Sequence, residues 1–535
     1  MKVFNFCSKY LQKNRIECFS IVLFSFTSWV LALISPFFMG KYIDYLSRGA
    51  DLISIGKFVM FLFVIWGTQI ITSYYNGIIL SRLSSLMTYQ ISDELFDHLK
   101  KVNISFFEEN DSVYLSKRII SDAGRIVQFI LGNCINFIAS FLSIVVSTIL
   151  LLKLDRVICL FTLCFIPIYL LLFRLFKNDL YLQIKECYEK ENRFFSEASN
   201  QLKSVKTIKI NGWYEKLRKI MQLSFDEYIT AQVRQNKLRG MINNIERAIS
   251  YILSVVVFAY SGYLIINHRL TVGTFTIINS YASKILASLS GLTSMKRTYT
   301  DTVVAYDQIQ QLLDLEEESS EGIILSKINN IELKHLYFSF PGKEVIKDLN
   351  YSFCKGFLYT ITGNNGVGKS TLLDLLIGLR DNYSGEILLN GIELRLVNKY
   401  SLRENNIAFL EQDTSILFSK ITEFLEFDEE ATRKWINNFG FEEFFEPMNN
   451  IASHEIKLNA SNLSGGEKQI LSIIRAFSKE KDILILDEPD TFIDKKYIEL
   501  LCRNLKEESK DRIVIVVTHD KRIIDIADYN LEVGK

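Results

Sequence analysis

The alternation of long apolar runs with charged stretches divides this chain before any single residue is weighed. From Cys18 to Gly40 no charged residue occurs, a run long enough to cross a bilayer as a helix. Comparable runs lie near 57–80, 127–152, 157–176, 248–267 and 273–295, so six spanning helices are expected. The segments between them are uneven. Those at 81–126 and 177–247 are long and rich in Lys and Arg, whereas 153–156 and 268–272 are short. Positive charge is retained on the cytoplasmic side, which places the long segments and both termini there. The long segments contain no Pro, so the spans are expected to continue beyond the bilayer as helices. They turn around near Ser105-Phe106-Phe107-Glu108-Glu109-Asn110 and near the run from Val205 to Trp213.

Residues 1–16 put Lys2, Lys9 and Lys13 on one helical face and Phe4, Cys7 and Leu11 on the other. Two readings fit that pattern: a helix lying on the membrane surface, and a helix docked on protein. At the other end of the apolar half, the acidic stretch from Leu312 to Gly322 reads as a linker, and beyond it strand-like and helix-like patterns alternate. The expected organisation is an amphipathic segment at 1–16, a helical membrane domain at 17–311, a linker at 312–327 and an α/β domain at 328–535.

Composition changes this picture little. Lys plus Arg and Asp plus Glu both number 61, so charge gives no reason to expect nucleic acid as a partner. The mean hydropathy of +0.15 belongs to the membrane half. Eight cysteines are scattered without a C-x-x-C pair, which argues for neither a disulfide framework nor a zinc site. Polar and aromatic residues inside the spans are candidates for the lining of a translocation cavity: Trp66, Gln69, Tyr74, Tyr75, Asn76, Asn133, Asn136, Asn279, Tyr281 and Lys284. Lys284 is the most informative, because a charge at that depth belongs in the bundle interior or a watery cavity. Hydrogen bonding between helices is the alternative role for the neutral ones.

The α/β half carries the chemistry. Gly363-Asn364-Asn365-Gly366-Val367-Gly368-Lys369-Ser370-Thr371 fits G-x-x-x-x-G-K-[ST], between an apolar strand pattern and a helix start. Its glycines let backbone N–H groups turn inward around an anion, and the helix dipole adds positive potential. Lys369 is placed to reach the β- and γ-phosphates of a nucleotide, and the Ser370 hydroxyl to bind Mg²⁺. The strand pattern from Ile483 ends in Asp487-Glu488-Pro489, which supplies a Mg²⁺ partner in Asp487 and a carboxylate, Glu488, to polarise the attacking water. Leu463-Ser464-Gly465-Gly466-Glu467-Lys468-Gln469 opens a second helix whose N-terminus suits an anion. Two such termini in one domain invite pairing in which one copy completes the site of another.

These motifs, in this order, resemble an ATP-binding cassette transporter of the exporter type, with six membrane helices and one nucleotide-binding domain in a single chain. The resemblance covers almost the whole chain and implies a helical transmembrane domain followed by an α/β P-loop domain, with ATP and Mg²⁺ as cofactors. It further implies that Phe340 stacks on adenine, that Gln412 touches Mg²⁺ and the lytic water, that Asp494 belongs to the loop after the second carboxylate and that His519 holds the γ-phosphate. Ser464, Gly465 and Gly466 match the signature that meets the nucleotide of a partner domain, so the working unit is a dimer, with a second copy or a related half-transporter. Phe340 stands where the family usually has Tyr, and Glu467 where it usually has Gln, which puts a negative charge near a phosphate site. The segment Lys457-Leu458-Asn459-Ala460-Ser461-Asn462 lacks the family's usual acidic, glycine-containing pattern. The expected function is ATP-driven export of an amphipathic cargo such as a peptide, lipid or hydrophobic drug, from a cell membrane with the nucleotide-binding domain in the cytoplasm. An ATP-gated channel or regulatory membrane protein is the alternative.

Overall fold

The computed structural model describes residues 2–49, 51–319, 321–441, 455–457 and 460–534. The chain falls into two compact units, Met1–Glu316 and Glu317–Lys535. The side chain of Lys2, and Leu458 and Asn459 ahead of the signature, lie outside the described residues.

The first unit is helical. α1 (Lys2–Lys13) leads into α2 (Arg15–Ser47) and α3 (Leu52–Leu99). A short α4 (Ser105–Glu109) precedes α5 (Ser112–Gln128), which continues through a π-helical turn at Phe129–Asn133 into α6 (Cys134–Leu154). α7 (Arg156–Cys164) and α8 (Ile166–Lys203) follow, then a short α9 (Val205–Asn211), α10 (Tyr214–Ile266) and α11 (Val272–Leu313). The two expected turning points are therefore short helices, and Gly212 ends α9 in a left-handed conformation. Among the described residues four helical stretches are long and apolar enough to cross a membrane: Arg15–Ser47, Leu52–Leu99, Ser112–Leu154 and Tyr214–Ile266. The fourth expected span is divided at Phe165, with Pro167 in the first turn of α8. The sixth, in α11, is diluted by Lys284 and by hydroxyl and amide side chains.

α1 docks on protein. Val3, Cys7 and Tyr10 are buried, Lys9 pairs with Glu94 of α3 at 2.5 Å, and the Tyr10 hydroxyl donates to the same carboxylate at 2.7 Å. Phe4, expected on the apolar face, is exposed instead. The buried stripe is centred one residue away from the one read from the sequence, because Tyr10 brings a long ring and a hydroxyl to Glu94.

α2 organises the membrane unit. Pro36 lies inside it and has no N–H to give the Ala32 carbonyl. The Lys284 ammonium of α11 donates to that carbonyl, and the Tyr281 hydroxyl donates to the next, Leu33, at 3.0 Å. Other expected cavity residues also bond to α2: Trp66 Nε1 donates to Ser35 Oγ at 3.2 Å and Asn76 Nδ2 to Ser25 Oγ at 3.2 Å. Tyr74, Tyr75 and Asn136 are exposed, and Gln69, Asn133 and Asn279 are partly buried. At the far end of the same pair of helices, Asp44 accepts from Gly273 N at 2.7 Å and from Thr271 Oγ1 at 2.8 Å. A carboxylate at a helix N-terminus is stabilising there. Backbones touch at this point: a Cβ on Gly273 would collide with the Gly40 carbonyl and the Asp44 carboxylate.

The second unit holds two sheets. β1 (Asn330–Phe340), β2 (Lys343–Cys354), β4 (Ser384–Leu389) and β5 (Ile392–Glu393) form an antiparallel sheet in the order β2-β1-β4-β5. β3 (Leu358–Thr362), β6 (Ile407–Leu410), β7 (Ile483–Asp487), β8 (Ile513–Val517) and β9 (Tyr529–Glu532) form a parallel sheet ordered β6-β7-β8-β3-β9. Its central strands are buried on both faces, as apolar runs of β-branched residues and leucine require. Leu484, Leu486, Val514 and Val516 face one core with the helix Gly465–Ser478. Ile483, Ile485, Ile513, Ile515 and Val517 face the other with α12 (Lys369–Leu376). Part of the expected linker is bonded into this unit: Ile323 N donates to the Leu396 carbonyl at 2.8 Å, and Glu318 pairs with Arg403.

Gly273→Ala is expected to destabilise the membrane unit by about 1–3 kcal/mol, the cost of overpacking a tight contact. Gly67→Ala, whose Cβ meets nothing within 4 Å, is expected to be neutral or to raise stability slightly through helix propensity. Thermal unfolding of the purified protein in lipid discs compares the two; equal midpoints would remove the close-packing account.

Candidate functional site

Parallel register brings four strand ends together. Ile361 of β3 lies opposite Val517 of β8, Val517 opposite Asp487 of β7, and Leu486 of β7 opposite Leu410 of β6. The residues that follow each strand therefore emerge side by side at the carboxyl edge: Gly363, His519, Glu488 and Gln412.

The phosphate loop opens from β3 and closes into α12. Gly366 and Gly368 sit at φ of 76° and 110°, conformations that side chains oppose, and a Cβ on Gly368 would strike Val345. Lys369 is buried and spends its donors inside the loop, on the Gly363 carbonyl at 2.8 Å, the Asn364 carbonyl at 3.4 Å and His519 Nε2 at 3.0 Å. The lysine and the histidine thus already face one another where a phosphate would be held. A cavity of about 330 Å³ lies over the loop, lined by Phe340, Lys343, Val345, Asn365, Gly366, Gly368, Lys369, Ser370, Thr371, Gln412 and Glu488. Lys343 and Val345 were not singled out in the sequence; only the turn between β1 and β2 brings them here. Gly363, Asn364 and Val367 complete the loop without lining the cavity. The Arg380 guanidinium lies 5.0 Å from the centre of the Phe340 ring, which fixes the aromatic at the cavity wall.

Asp487 is buried with Oδ1 lacking a partner, and its carboxyl is hydrogen-bonded by Ser370. Burial pushes this carboxyl above the usual carboxylate range, against the opposing pull of Ser370. An orphaned buried carboxylate oxygen beside a hydroxyl is a donor set suited to Mg²⁺. Glu488 follows at φ 49°, a left-handed conformation unusual for a long side chain. It is held there by its own N–H on the Val517 carbonyl at 2.9 Å and by Gln469 Nε2 on its carbonyl at 3.3 Å. Its carboxylate accepts from Gln412 Nε2 at 2.8 Å. Gln469 belongs to the signature run, but its role here is not legible in the sequence because its side chain acts on a backbone atom 19 positions away. Asp490, which accepts from the Thr518 hydroxyl at 2.6 Å, ties the turn after β7 to the end of β8 in the same way.

Ser464 caps the helix Gly465–Ser478 in a reciprocal box: Glu467 N donates to Ser464 Oγ at 3.3 Å, and Ser464 N donates to Glu467 Oε2 at 2.5 Å. The glutamate that looked out of place beside a phosphate site is employed in the helix start. Asp494 stands at the N-cap of Lys495–Glu508 without a side-chain capping bond.

Comparison with known proteins gives the family. The family model described as ABC transporter transmembrane region matches residues 18–289, and the one described as ABC transporter matches residues 346–491. The chain belongs to the ABC transporter family. Among curated relatives, the ATP-dependent lipid A-core flippase of Haemophilus influenzae is 25% identical over 490 residues, covering 88% of this chain and 82% of the relative. The flippase of the same name from Escherichia coli K12 is 25% identical over 475 residues, 86% of this chain and 80% of that one. A solved bacterial Atm1-family ABC exporter with ATP bound superimposes at a TM-score of 0.84 with 18% identity, over 98% of this chain and 95% of that one. This ABC transporter is therefore an ATP-hydrolysing half-transporter of the exporter type, a multi-pass membrane protein with its ATPase domain in the cytoplasm and with ATP and Mg²⁺ as cofactors.

Glu467→Ala opens half of the capping box and is expected to lower the stability of the ATPase unit by about 1 kcal/mol, whereas Glu467→Gln keeps an acceptor oxygen and costs less. Calorimetry on the two variants checks the order; a loss equal in both would mean that the charge, rather than the cap, is what Glu467 contributes.

Proposed function

We propose that this ABC transporter moves an amphipathic, lipid-like cargo and that it works as a pair of identical chains sharing two composite ATP sites. The observation that carries the shared site is the position of the signature. Among the described residues the nucleotide cavity is lined from both ends of the phosphate loop, from β2, from Gln412 and from Glu488, and Ser464, Gly465 and Gly466 contribute nothing to it. Their helix N-terminus has an anion-binding character that a nucleotide held by another chain would use. A related half-transporter in place of the second copy is the other arrangement, distinguished by whether the purified chain alone turns over. The lipid-like cargo is supported by the flippase names of the relatives.

In this reading Lys369 and the loop N–H groups hold the β- and γ-phosphates of ATP, and His519 holds the γ-phosphate from the other side. Phe340 stacks on the adenine. Ser370, Asp487 and Gln412 would hold Mg²⁺, which neutralises charge developing on the phosphoryl oxygens. Glu488 accepts the proton of the attacking water, and Gln412, already bonded to that carboxylate, keeps it turned toward the γ-phosphate. Asn364, Asn365, Val367 and Thr371 shape the loop around the same anion.

Glu488→Gln is expected to leave ATP binding intact and to cut turnover by roughly two orders of magnitude, the range for loss of a general base, while Lys369→Ala weakens binding itself. An unchanged rate in Glu488→Gln would remove Glu488 as the base.

Mixing Lys369→Ala chains with Ser464→Arg chains separates a shared site from a self-contained one. Each mixed dimer has one composite site with both lesions and one with neither, so activity of up to about half the native value per mixed dimer is expected to return. Heterodimers that form and stay as inactive as either variant would overturn independent shared sites.

A further inference from the structure

We propose that Lys284 is the cation of a headgroup site in the seam between α2 and α11, and that it selects anionic amphiphiles, phosphate or carboxylate, as cargo. The proposal rests on the amphipathic-cargo reading above and narrows it. From Thr271 to Met295, α11 carries one charged residue, Lys284. A charge at this depth is costly to place and is retained where it serves a purpose.

The fold alone does not need that charge. Lys284 meets no carboxylate among the described residues; its ammonium bonds to the Ala32 carbonyl, left without its helical donor by Pro36. A hydroxyl or amide N–H can donate to a carbonyl as well as an ammonium can, and the adjacent Leu33 carbonyl accepts from the neutral Tyr281 hydroxyl at 3.0 Å. Carboxylates of the packed helices have other partners, and Asp301 of α11 pairs with Arg239. Asp44 accepts from Thr271 and Gly273, and Glu246 of α10 accepts from the Ser290 hydroxyl at 2.9 Å. An ammonium has three N–H donors and among the described residues one meets an acceptor, which leaves two donors and an unpaired positive charge in a low-dielectric setting, where an arriving anion is bound more strongly than in water. An anionic headgroup satisfies both at once, with its chains left among the apolar residues that the same helices expose, such as Phe26, Ile34 and Phe37.

The test measures ATP turnover of the full chain in phosphatidylcholine discs while dioleoyl phosphatidic acid, oleate, diolein or glycerol 3-phosphate is added. Phosphatidic acid or oleate is expected to half-stimulate at a concentration about tenfold or more below diolein, the fold-change associated with one charge-assisted hydrogen bond. Which of the two is preferred distinguishes phosphate from carboxylate. Lys284→Gln keeps a donor for Ala32 and removes the charge, so it is expected to lose that preference, and Lys284→Arg to keep it. Equal response of the wild-type chain to diolein and to both anions, or a preference that survives in Lys284→Gln, overturns the proposal. Stimulation by glycerol 3-phosphate alone overturns it as an amphiphile site. A wild-type chain that responds to no amphiphile, charged or neutral, overturns the cargo reading beneath it. Should Lys284→Gln fail to assemble, the anionic-to-neutral ratio of the wild-type chain still decides.

Discussion

The ATPase unit depends on the register of its parallel sheet. Because β3, β8, β7 and β6 pair in step, the residue after each strand leaves the sheet at the same edge, and groups up to 156 positions apart, from Gly363 to His519, become neighbours. A parallel strand buried on both faces holds that register firmly, since a slip of one residue would exchange the two sets of side chains packed on opposite faces. The Lys369 contact with His519 and the Gln412 contact with Glu488 follow from strand pairing rather than from local sequence. Local conformation then adjusts the result: Glu488 takes a left-handed backbone that turns the chain off β7 at the point where its carboxylate is needed.

The departures from the family pattern look different once packing is known. Phe340 keeps an aromatic face at the cavity and is steadied by Arg380, so the missing hydroxyl removes nothing the wall needs. Glu467 returns its carboxylate to the Ser464 N–H, which offsets its charge against a helix N-terminus that favours anions. The signature helix therefore starts from a firmly capped turn while the Ser464 hydroxyl still has its own proton to donate.

In the membrane unit, several polar side chains join helices. Pro36 breaks the hydrogen-bond ladder of α2, and donors from α11 meet the carbonyls near the break. Ser25, Ser35 and the Asp44 carboxylate extend this dependence along the length of α2. In a medium without water a freed carbonyl costs several kcal/mol, so a first span interrupted by Pro36 and a polar-studded sixth one support each other. That coupling explains why α11, the least apolar of the expected spans, is nonetheless closely packed.

Much of this was legible in the linear chain. Apolar run lengths and the Lys/Arg bias of the loops implied the membrane half, and the turning points at Ser105 and Val205 showed as interruptions between long helical patterns. The phosphate loop, the Asp487-Glu488 pair and the signature serine are local motifs whose chemistry is carried by neighbours in sequence, and so they can be read without a fold. What the sequence could not supply is anything made by residues distant along the chain: Gln469 on the Glu488 carbonyl, Asp490 on Thr518, Lys343 at the cavity, and the stripe of α1 that faces Glu94. Periodicity gives the face of a helix only to within a residue or so, and Phe4 fell outside it. The sequence marked Lys284 as a charge in the wrong solvent; only tertiary structure joined it to the carbonyl that Pro36 leaves bare, because a missing N–H on one helix and a spare donor on another acquire meaning when the two helices are packed together.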